Sequence, residues 1–197
     1  MIAEARRVVL ESGATTTVEC WGDAGPAILC VHGIGSSRRD FAKLGEALAS
    51  THRVFAYDQR GHGDAETATP MTLDVLTADL RSVADSIGTV AAVVGHSWGG
   101  AVALAGGPKI ARALVLVDPL IRAGSETYGG WDLRERLAAL KIPTTILVAG
   151  VDSVVAAGDL SGASPLVRVE TIPHHGHVLH RSAFERFAEV VREAVPA

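Results

Sequence analysis

Ser97 is the residue in this sequence best suited to act as a nucleophile. It lies in the stretch VVGHSWGG, between Gly95 and Gly99, where an apolar run of strand type gives way to a run of small residues. Glycines two positions before and after a serine let a strand and a helix approach closely, and the sharp turn between them exposes the hydroxyl. The pattern G-x-S-x-G therefore predicts a nucleophile elbow; the alternative interpretation is a plain tight turn with a helix cap.

A serine hydroxyl is a weak nucleophile unless a base takes its proton and an acid orients that base. After this kind of elbow the acid and then the histidine are expected further along the chain. Asp152 directly follows the apolar run TTILVAG and is the favoured acid, with Asp118, at the end of LVLVD, as its rival. Four candidate bases lie in the segment IPHHGHVLH, namely His174, His175, His177 and His180.

Eight short apolar runs provide the strands that must position these groups. They are RRVVLE, TTTVECW, AILCV, RVFAYD, VAAVVG, ARALVLVD, TTILVAG and LVRVETI. Helical periodicity fills residues 38–50, 72–87 and about 182–195, where apolar side chains recur on one stripe. Strands that alternate with helices predict an α/β fold with a mostly parallel, twisted sheet and helices on both faces. We expect one domain over residues 1–197.

The sequence resembles the α/β-hydrolase superfamily over nearly its whole length. Six blocks occur in the family's order: ILCVHGIGSS, VFAYDQRGHGD, VVGHSWGG, LVLVDP, IPTTILVAGVDSVV and HGHVLH. The resemblance implies an eight-stranded sheet, with Ser97 as nucleophile and Asp152 as orienting acid. In the family the histidine after glycine in the last block is the base, which here is His177.

The resemblance also implies an oxyanion hole formed by two backbone N–H groups. One belongs to Trp98, the residue after the nucleophile, and the other to Ile34, in the loop after the HG strand. Such donors stabilise the negative charge that develops on a carbonyl oxygen. We expect His32 to hold this loop by hydrogen bonding, and we expect His96 to be part of the scaffold.

Residues 119–143 occupy the position at which many members of this family insert a cap domain. The segment is short, so we expect a vestigial cap with one short helix at residues 131–140 and an open site. The expected pocket walls are apolar: Leu120, Ile121, Trp131, Val154 and Val178, beside the two oxyanion residues. For Trp131, an anchor of the cap helix is an equal alternative. Apolar walls without a large lid predict substrates of short or medium acyl chain.

Composition and charge exclude several other classes of function. The net charge is −4, and the lysines and arginines are scattered, so we expect neither nucleic acid nor membrane as a partner. The N-terminal residues do not resemble a signal peptide and there are only two cysteines, so we expect a cytoplasmic protein.

The leading hypothesis is a serine esterase that needs neither a metal nor a cofactor. The alternatives are a thioesterase or lactonase with the same triad, and a non-catalytic ligand-binding module on the same fold.

Overall fold

The computed structural model describes residues 4–67, 70–124 and 129–197. Its main feature is an eight-stranded sheet with the order β1-β2-β4-β3-β5-β6-β9-β10. The strands are β1 (Glu4–Val9), β2 (Thr15–Trp21), β3 (Ala27–Val31), β4 (Arg53–Tyr57), β5 (Val90–His96), β6 (Ala113–Val117), β7 (Arg122–Ala123), β8 (Trp131–Asp132), β9 (Thr144–Ala149) and β10 (Val167–Ile172). The pairs of β1 with β2 and β2 with β4 are antiparallel, and the remaining pairs of this sheet are parallel. The predicted fold class is confirmed.

Helices cover both faces of the sheet. They are α1 (Ala42–Leu48), α2 (Leu73–Ile87), α3 (Trp98–Gly106), α4 (Arg134–Ala138), α5 (Leu179–Ser182) and α6 (Phe184–Ala194), with 3-10 turns at Arg38–Phe41 and Gly107–Lys109. Apolar side chains of α1 and α6 pack on one face, and those of α2, α3 and α4 pack on the other. Strand β3 is apolar throughout because it is buried on both faces: Leu29 and Val31 face one helix layer, whereas Ile28 and Cys30 face the other.

The segment 119–143 has more regular structure than one helix. Before α4, strands β7 and β8 form a two-stranded antiparallel hairpin, in which Arg122 pairs with Asp132 and Ala123 with Trp131. The helix predicted over residues 131–140 is shorter at both ends: it spans Arg134–Ala138, and Trp131 and Asp132 belong to a strand. Within the residues that the structure describes, the helices are too short or too polar to cross a lipid bilayer.

Candidate active site

Ser97 occupies a strained turn between the end of β5 and the start of α3. Its φ of 55° and ψ of −119° lie in a region that residues with a side chain seldom adopt. Hydrogen bonds hold this backbone in place, because Ser97 donates its N–H to the Val117 carbonyl (2.9 Å) and its own carbonyl accepts from the N–H of Gly100 (2.9 Å) and of Leu120 (3.0 Å). Strain that is fixed in this way is typical of functional turns.

The two flanking glycines are required by close packing. A Cβ atom on Gly95 would lie 2.4 Å from the Gly99 carbonyl oxygen, and one on Gly99 would lie 2.2 Å from the Val31 carbonyl oxygen. Both distances are far below van der Waals contact, so any larger residue would push α3 away from the sheet. The sequence interpretation of these glycines as sites of close strand–helix approach agrees with this packing.

His177 lies in the loop after β10 and is oriented by Asp118. Its Nδ1 is 2.6 Å from Asp118 Oδ2. A carboxylate only accepts hydrogen bonds, so Nδ1 carries the proton and Nε2 is the basic nitrogen. The His177 side chain is partly exposed (27%), whereas the Asp118 side chain is fully buried.

Asp118 is ionised although it is buried. Burial by itself would raise the pKa of this carboxyl group, but hydrogen bonds from His177, from the Ser153 hydroxyl and from the N–H groups of Ala149 and Val154 outweigh burial and lower the pKa. The donor–acceptor distances are 2.5 Å from Ser153 Oγ and 3.0 Å from each of the two backbone nitrogens.

The expectation that Asp152 orients His177 is contradicted by this geometry. Asp152 is exposed, and within the described residues its carboxylate makes neither a hydrogen bond nor an ion pair. The physical reason lies in the loop after β9, which contains Asp152 and also Ser153 and Val154. That loop donates hydrogen bonds to Asp118, so it holds the acid rather than supplying it.

A cavity of about 290 Å³ contains the candidate nucleophile and base. It is lined by Gly33, Ile34, Gly35, Ser36, Asp40, His96, Ser97, His177, Val178 and Arg181. Within the described part of the chain the Ser97 hydroxyl makes no hydrogen bond, so its bond to His177 is not formed in this state. Catalytic hydrogen bonds commonly tighten only when substrate binds.

The loop that carries Ile34 runs directly against the elbow. A Cβ atom on Gly33 would lie 3.3 Å from the Ser97 Cβ. His32 braces this loop: its Nδ1–H donates to the Gly33 carbonyl (2.7 Å), and its Nε2 accepts from the Gln59 N–H (2.9 Å). Burial lowers the pKa of His32 to about 4, so the ring is neutral at pH 7. The expected role of His32 in holding the loop therefore agrees with its contacts.

His96 contributes to the cavity and to the position of His177. Its Nε2–H donates to the His177 carbonyl (3.1 Å), and the centroids of the two imidazole rings are 4.6 Å apart. Burial and the neighbouring His180 and His177 lower the pKa of His96 to about 3. Sequence reasoning assigned His96 to the scaffold, and its hydrogen bond supports that role, but its side chain also lines the site.

Of the predicted apolar walls, Ile34 and Val178 line the cavity with Ser97. Ile121 does not, because its side chain is fully buried in the core. Trp131 lines a separate cavity beside Thr72, and its indole N–H donates to the Leu120 carbonyl (3.1 Å). These contacts correct the expectation for Ile121 and Trp131, and they favour Trp131 as an anchor of the cap segment.

Leu120 and Val154, the other two predicted walls, do not line this cavity either. The structure fixes their backbones instead: the Leu120 N–H donates to the Ser97 carbonyl, and the Val154 N–H donates to Asp118. Sequence reasoning missed Ser36, Asp40 and Arg181. A polar rim of this kind depends on where loops meet, and no motif in the sequence marks it.

No metal site accompanies these groups in the part of the chain described, since no three His, Cys, Asp or Glu side chains are placed there to hold an ion. The site thus consists of a serine, an imidazole and a buried carboxylate at the edge of a parallel sheet. Such a set can form and hydrolyse a covalent acyl intermediate.

Comparisons with known proteins agree with this arrangement. Residues 28–141 match the model of the alpha/beta hydrolase family. Lipase LipV from Mycobacterium tuberculosis is 38% identical over 109 residues, which are 53% of this chain and 41% of the lipase. A pimeloyl-[acyl-carrier protein] methyl ester esterase from Neisseria meningitidis is 39% identical over 110 residues, 54% of this chain and 42% of the esterase. The chain spans less than half the length of the curated relatives it matches.

A solved structure extends the similarity of the fold to almost the whole chain. The enol-lactonase from Burkholderia xenovorans superimposes with a TM-score of 0.86 at 17% sequence identity, and the match covers 96% of this chain and 99% of the lactonase. At this level of identity the likeness establishes the shared fold alone.

Proposed function

The chain belongs to the alpha/beta hydrolase family, and on that basis we propose that it is a serine hydrolase that cleaves carboxylic esters of short or medium acyl chain. The observation that carries the proposal is that Ser97 and His177 line one cavity while Asp118 orients the imidazole. The serine lies on a strained elbow, the imidazole lines the same cavity, and a buried carboxylate holds the imidazole at 2.6 Å.

The proposed reaction begins when Ser97 Oγ attacks the ester carbonyl and His177 Nε2 takes its proton. Asp118 stabilises the imidazolium that forms, and the N–H groups of Ile34 and Trp98 stabilise the oxyanion. His177 then protonates the leaving alcohol, and water, activated by the same imidazole, releases the acid. Loss of one oxyanion donor typically lowers kcat by about 10² to 10³.

The size of the cavity supports short substrates. Its volume of about 290 Å³ lies at the lower end of the range of roughly 300–1,000 Å³ that is usual for ligand pockets. The segment 119–143, which we propose is a vestigial cap, has a hairpin and a five-residue helix. An elongated acyl tunnel would require more chain above the sheet.

Thioesters and lactones remain a second candidate class, because the same nucleophile, base and oxyanion donors act on them. The fold shared with an enol-lactonase is compatible with this alternative. A panel of p-nitrophenyl esters, acyl thioesters and lactones at equal concentration separates these activities by their kcat/KM values.

Labelling by a fluorophosphonate probe tests the proposal directly, because only an activated serine reacts with it. We expect wild-type protein to be labelled at pH 7.5 and Ser97→Ala to remain unlabelled. Ser161→Ala is the matched control, since Ser161 is exposed and lies outside the Ser97 cavity, and it should be labelled like the wild type. Wild-type protein that folds but does not react would favour a non-catalytic binding module.

A further inference from the structure

We infer that Arg181 binds a carboxylate of the substrate, so that the preferred substrates are short esters that carry a free carboxylate. The inference rests on the proposed function and adds a substrate class to it. It follows from three observations: Arg181 lines the Ser97 cavity, it donates one hydrogen bond, to Asp40, and the other charged or titratable groups of the lining have other partners or are neutral.

Arg181 lies on α5, four residues after His177, and its side chain forms part of the wall of the cavity that contains Ser97. One of its nitrogens, Nη2, donates to Asp40 Oδ1. The Arg181 side chain is 60% exposed, whereas that of Asp40 is 10% exposed. The guanidinium therefore lies at the mouth of the cavity, with Asp40 beneath it as an anchor.

Each oxygen of the Asp40 carboxylate already faces a donor of the protein. Its carboxylate accepts from the Ser36 hydroxyl and from Arg181, and it lies 3.6 Å from His180 Nε2. Burial would raise the pKa of Asp40, but the interactions with His180, Ser36 and Arg181 lower it well below its usual range, so the carboxylate is ionised. Asp40 therefore serves to orient Arg181 and Ser36 at the cavity.

Arg181, in contrast, has N–H groups that make no hydrogen bond within the described residues. A guanidinium has about five N–H groups in a planar fork, and within the described residues Arg181 uses one nitrogen, for Asp40. The rim of the cavity therefore offers donors rather than acceptors. A planar fork of this kind matches the two oxygens of a carboxylate, and one guanidinium is able to contact two carboxylates at once.

The other charged or titratable groups that line the cavity do not compete for this role. His96 is neutral at pH 7, because its pKa is about 3. His177 is committed to Asp118 through Nδ1. The lining of the same cavity also includes the loop Gly33–Gly35 and Val178, which are uncharged and mostly apolar and suit a short methylene chain. A half-ester of a four- or five-carbon diacid has this arrangement of an ester, a short apolar link and a carboxylate.

The test compares two substrates of equal size, monomethyl glutarate and its amide, methyl 5-amino-5-oxopentanoate, which differ in the charge of the distal group. We expect wild-type kcat/KM to favour the carboxylate by about tenfold, mainly through KM, since a half-exposed charge pair has a modest effect. Arg181→Gln should bring the ratio close to one, and Arg181→Lys should restore part of it. Arg192→Gln, an exposed change on α6 outside the cavity, should keep the wild-type ratio and rates.

A wild-type ratio near one, or the same preference in Arg181→Gln as in the wild type, would overturn the inference while leaving ester hydrolysis intact. Calorimetric titration with glutarate adds a test that is independent of turnover. The Ser97→Ala protein should bind glutarate about tenfold more tightly than the double variant with Arg181→Gln. Equal affinities would refute the role of Arg181, whether or not the protein hydrolyses esters. Absence of ester hydrolysis would instead refute the proposed function.

Discussion

Replacement of Asp118 by asparagine should abolish most of the activity, whereas the same change at Asp152 should not. In Asp118→Asn the side chain keeps its size, but an amide nitrogen that replaces Oδ2 faces the Nδ1–H of His177, and two donors then oppose each other. Rotation of the imidazole to its other tautomer would remove this conflict but would place a proton on Nε2, the nitrogen that must accept one from Ser97. Asp152 is exposed, and the hydrogen-bond partner of His177 Nδ1 is Asp118.

The magnitude follows from the distance between the two charged groups. At 2.6 Å and an effective dielectric constant of about 20, an ionised Asp118 and a protonated His177 attract each other by about 6 kcal/mol. Asparagine loses this attraction only in the state with an imidazolium, which is the transition state and not the resting enzyme. A loss of about 6 kcal/mol corresponds to roughly 10⁴ in rate, and comparable substitutions in serine hydrolases have effects of about 10⁴. We expect kcat/KM to fall by about 10³ to 10⁴.

The assay is the kcat/KM for p-nitrophenyl butyrate together with the rate of fluorophosphonate labelling, for wild type, Asp118→Asn and Asp152→Asn. Melting temperatures must accompany the rates, because the new amide also faces the Val154 N–H, and a buried mismatch of this kind costs about 1–3 kcal/mol of stability. Asp152→Asn should stay within about twofold of wild type. A folded Asp118→Asn protein with nearly full activity, combined with an inactive Asp152→Asn protein, would refute the assignment of the acid.

The described geometry predicts three further outcomes. Gly99→Ala should lower the free energy of unfolding by about 3 kcal/mol, because its Cβ would collide with the Val31 carbonyl. Gly124→Ala, with open space around it, should melt like wild type. Equal melting temperatures of the two variants would contradict this prediction. Burial favours neutral His32 in the folded protein and lowers its pKa to about 4. Its contribution to the free energy of unfolding should therefore be complete above pH 6.5, and the free energy should fall by up to about 3 kcal/mol as the pH drops to 4. Urea titrations of wild type and His32→Gln at several pH values give the free energy of unfolding at each pH. If it changes equally with pH in the two proteins, the prediction is wrong. The kcat/KM for p-nitrophenyl butyrate should exceed that for the palmitate, and the reverse order would exclude a small acyl site.

Most of the fold could be predicted because its signals are local. The eight runs became the eight strands of the main sheet, and the central ones, such as β3 and β6, are apolar throughout because they are buried on both faces. The helix predicted at residues 72–87 became α2, which Thr72 caps by accepting a hydrogen bond from the Val75 N–H. The hairpin of β7 and β8 was missed, because each strand has two residues and so short a run has no periodicity.

The acid of the proposed site could not be predicted from local signals, because Asp118 and Asp152 look alike in the sequence. Each follows an apolar strand, and each adopts a positive φ. What distinguishes them is the direction of the loop after β9, which turns its Ser153 hydroxyl and Val154 N–H back toward Asp118. Such a choice depends on backbone geometry between neighbouring strands, and the order of residues along one chain does not determine it.

Ser97 and Asp118 share a structural feature that explains how the sheet positions the proposed nucleophile and acid. The two residues follow adjacent strands, β5 and β6, and both have positive φ angles, 55° and 42°. Each such residue costs about 1–3 kcal/mol, but each is fixed by its neighbouring strand: Ser97 donates to the Val117 carbonyl at 2.9 Å, and Asp118 donates to the Leu147 carbonyl at 2.7 Å. The hydrogen bonds of the sheet therefore impose the positions of nucleophile and acid. Outside the sheet, the Leu120 N–H of the segment 119–143 donates to the Ser97 carbonyl (3.0 Å), so the sheet and this short segment together fix the backbone of the elbow.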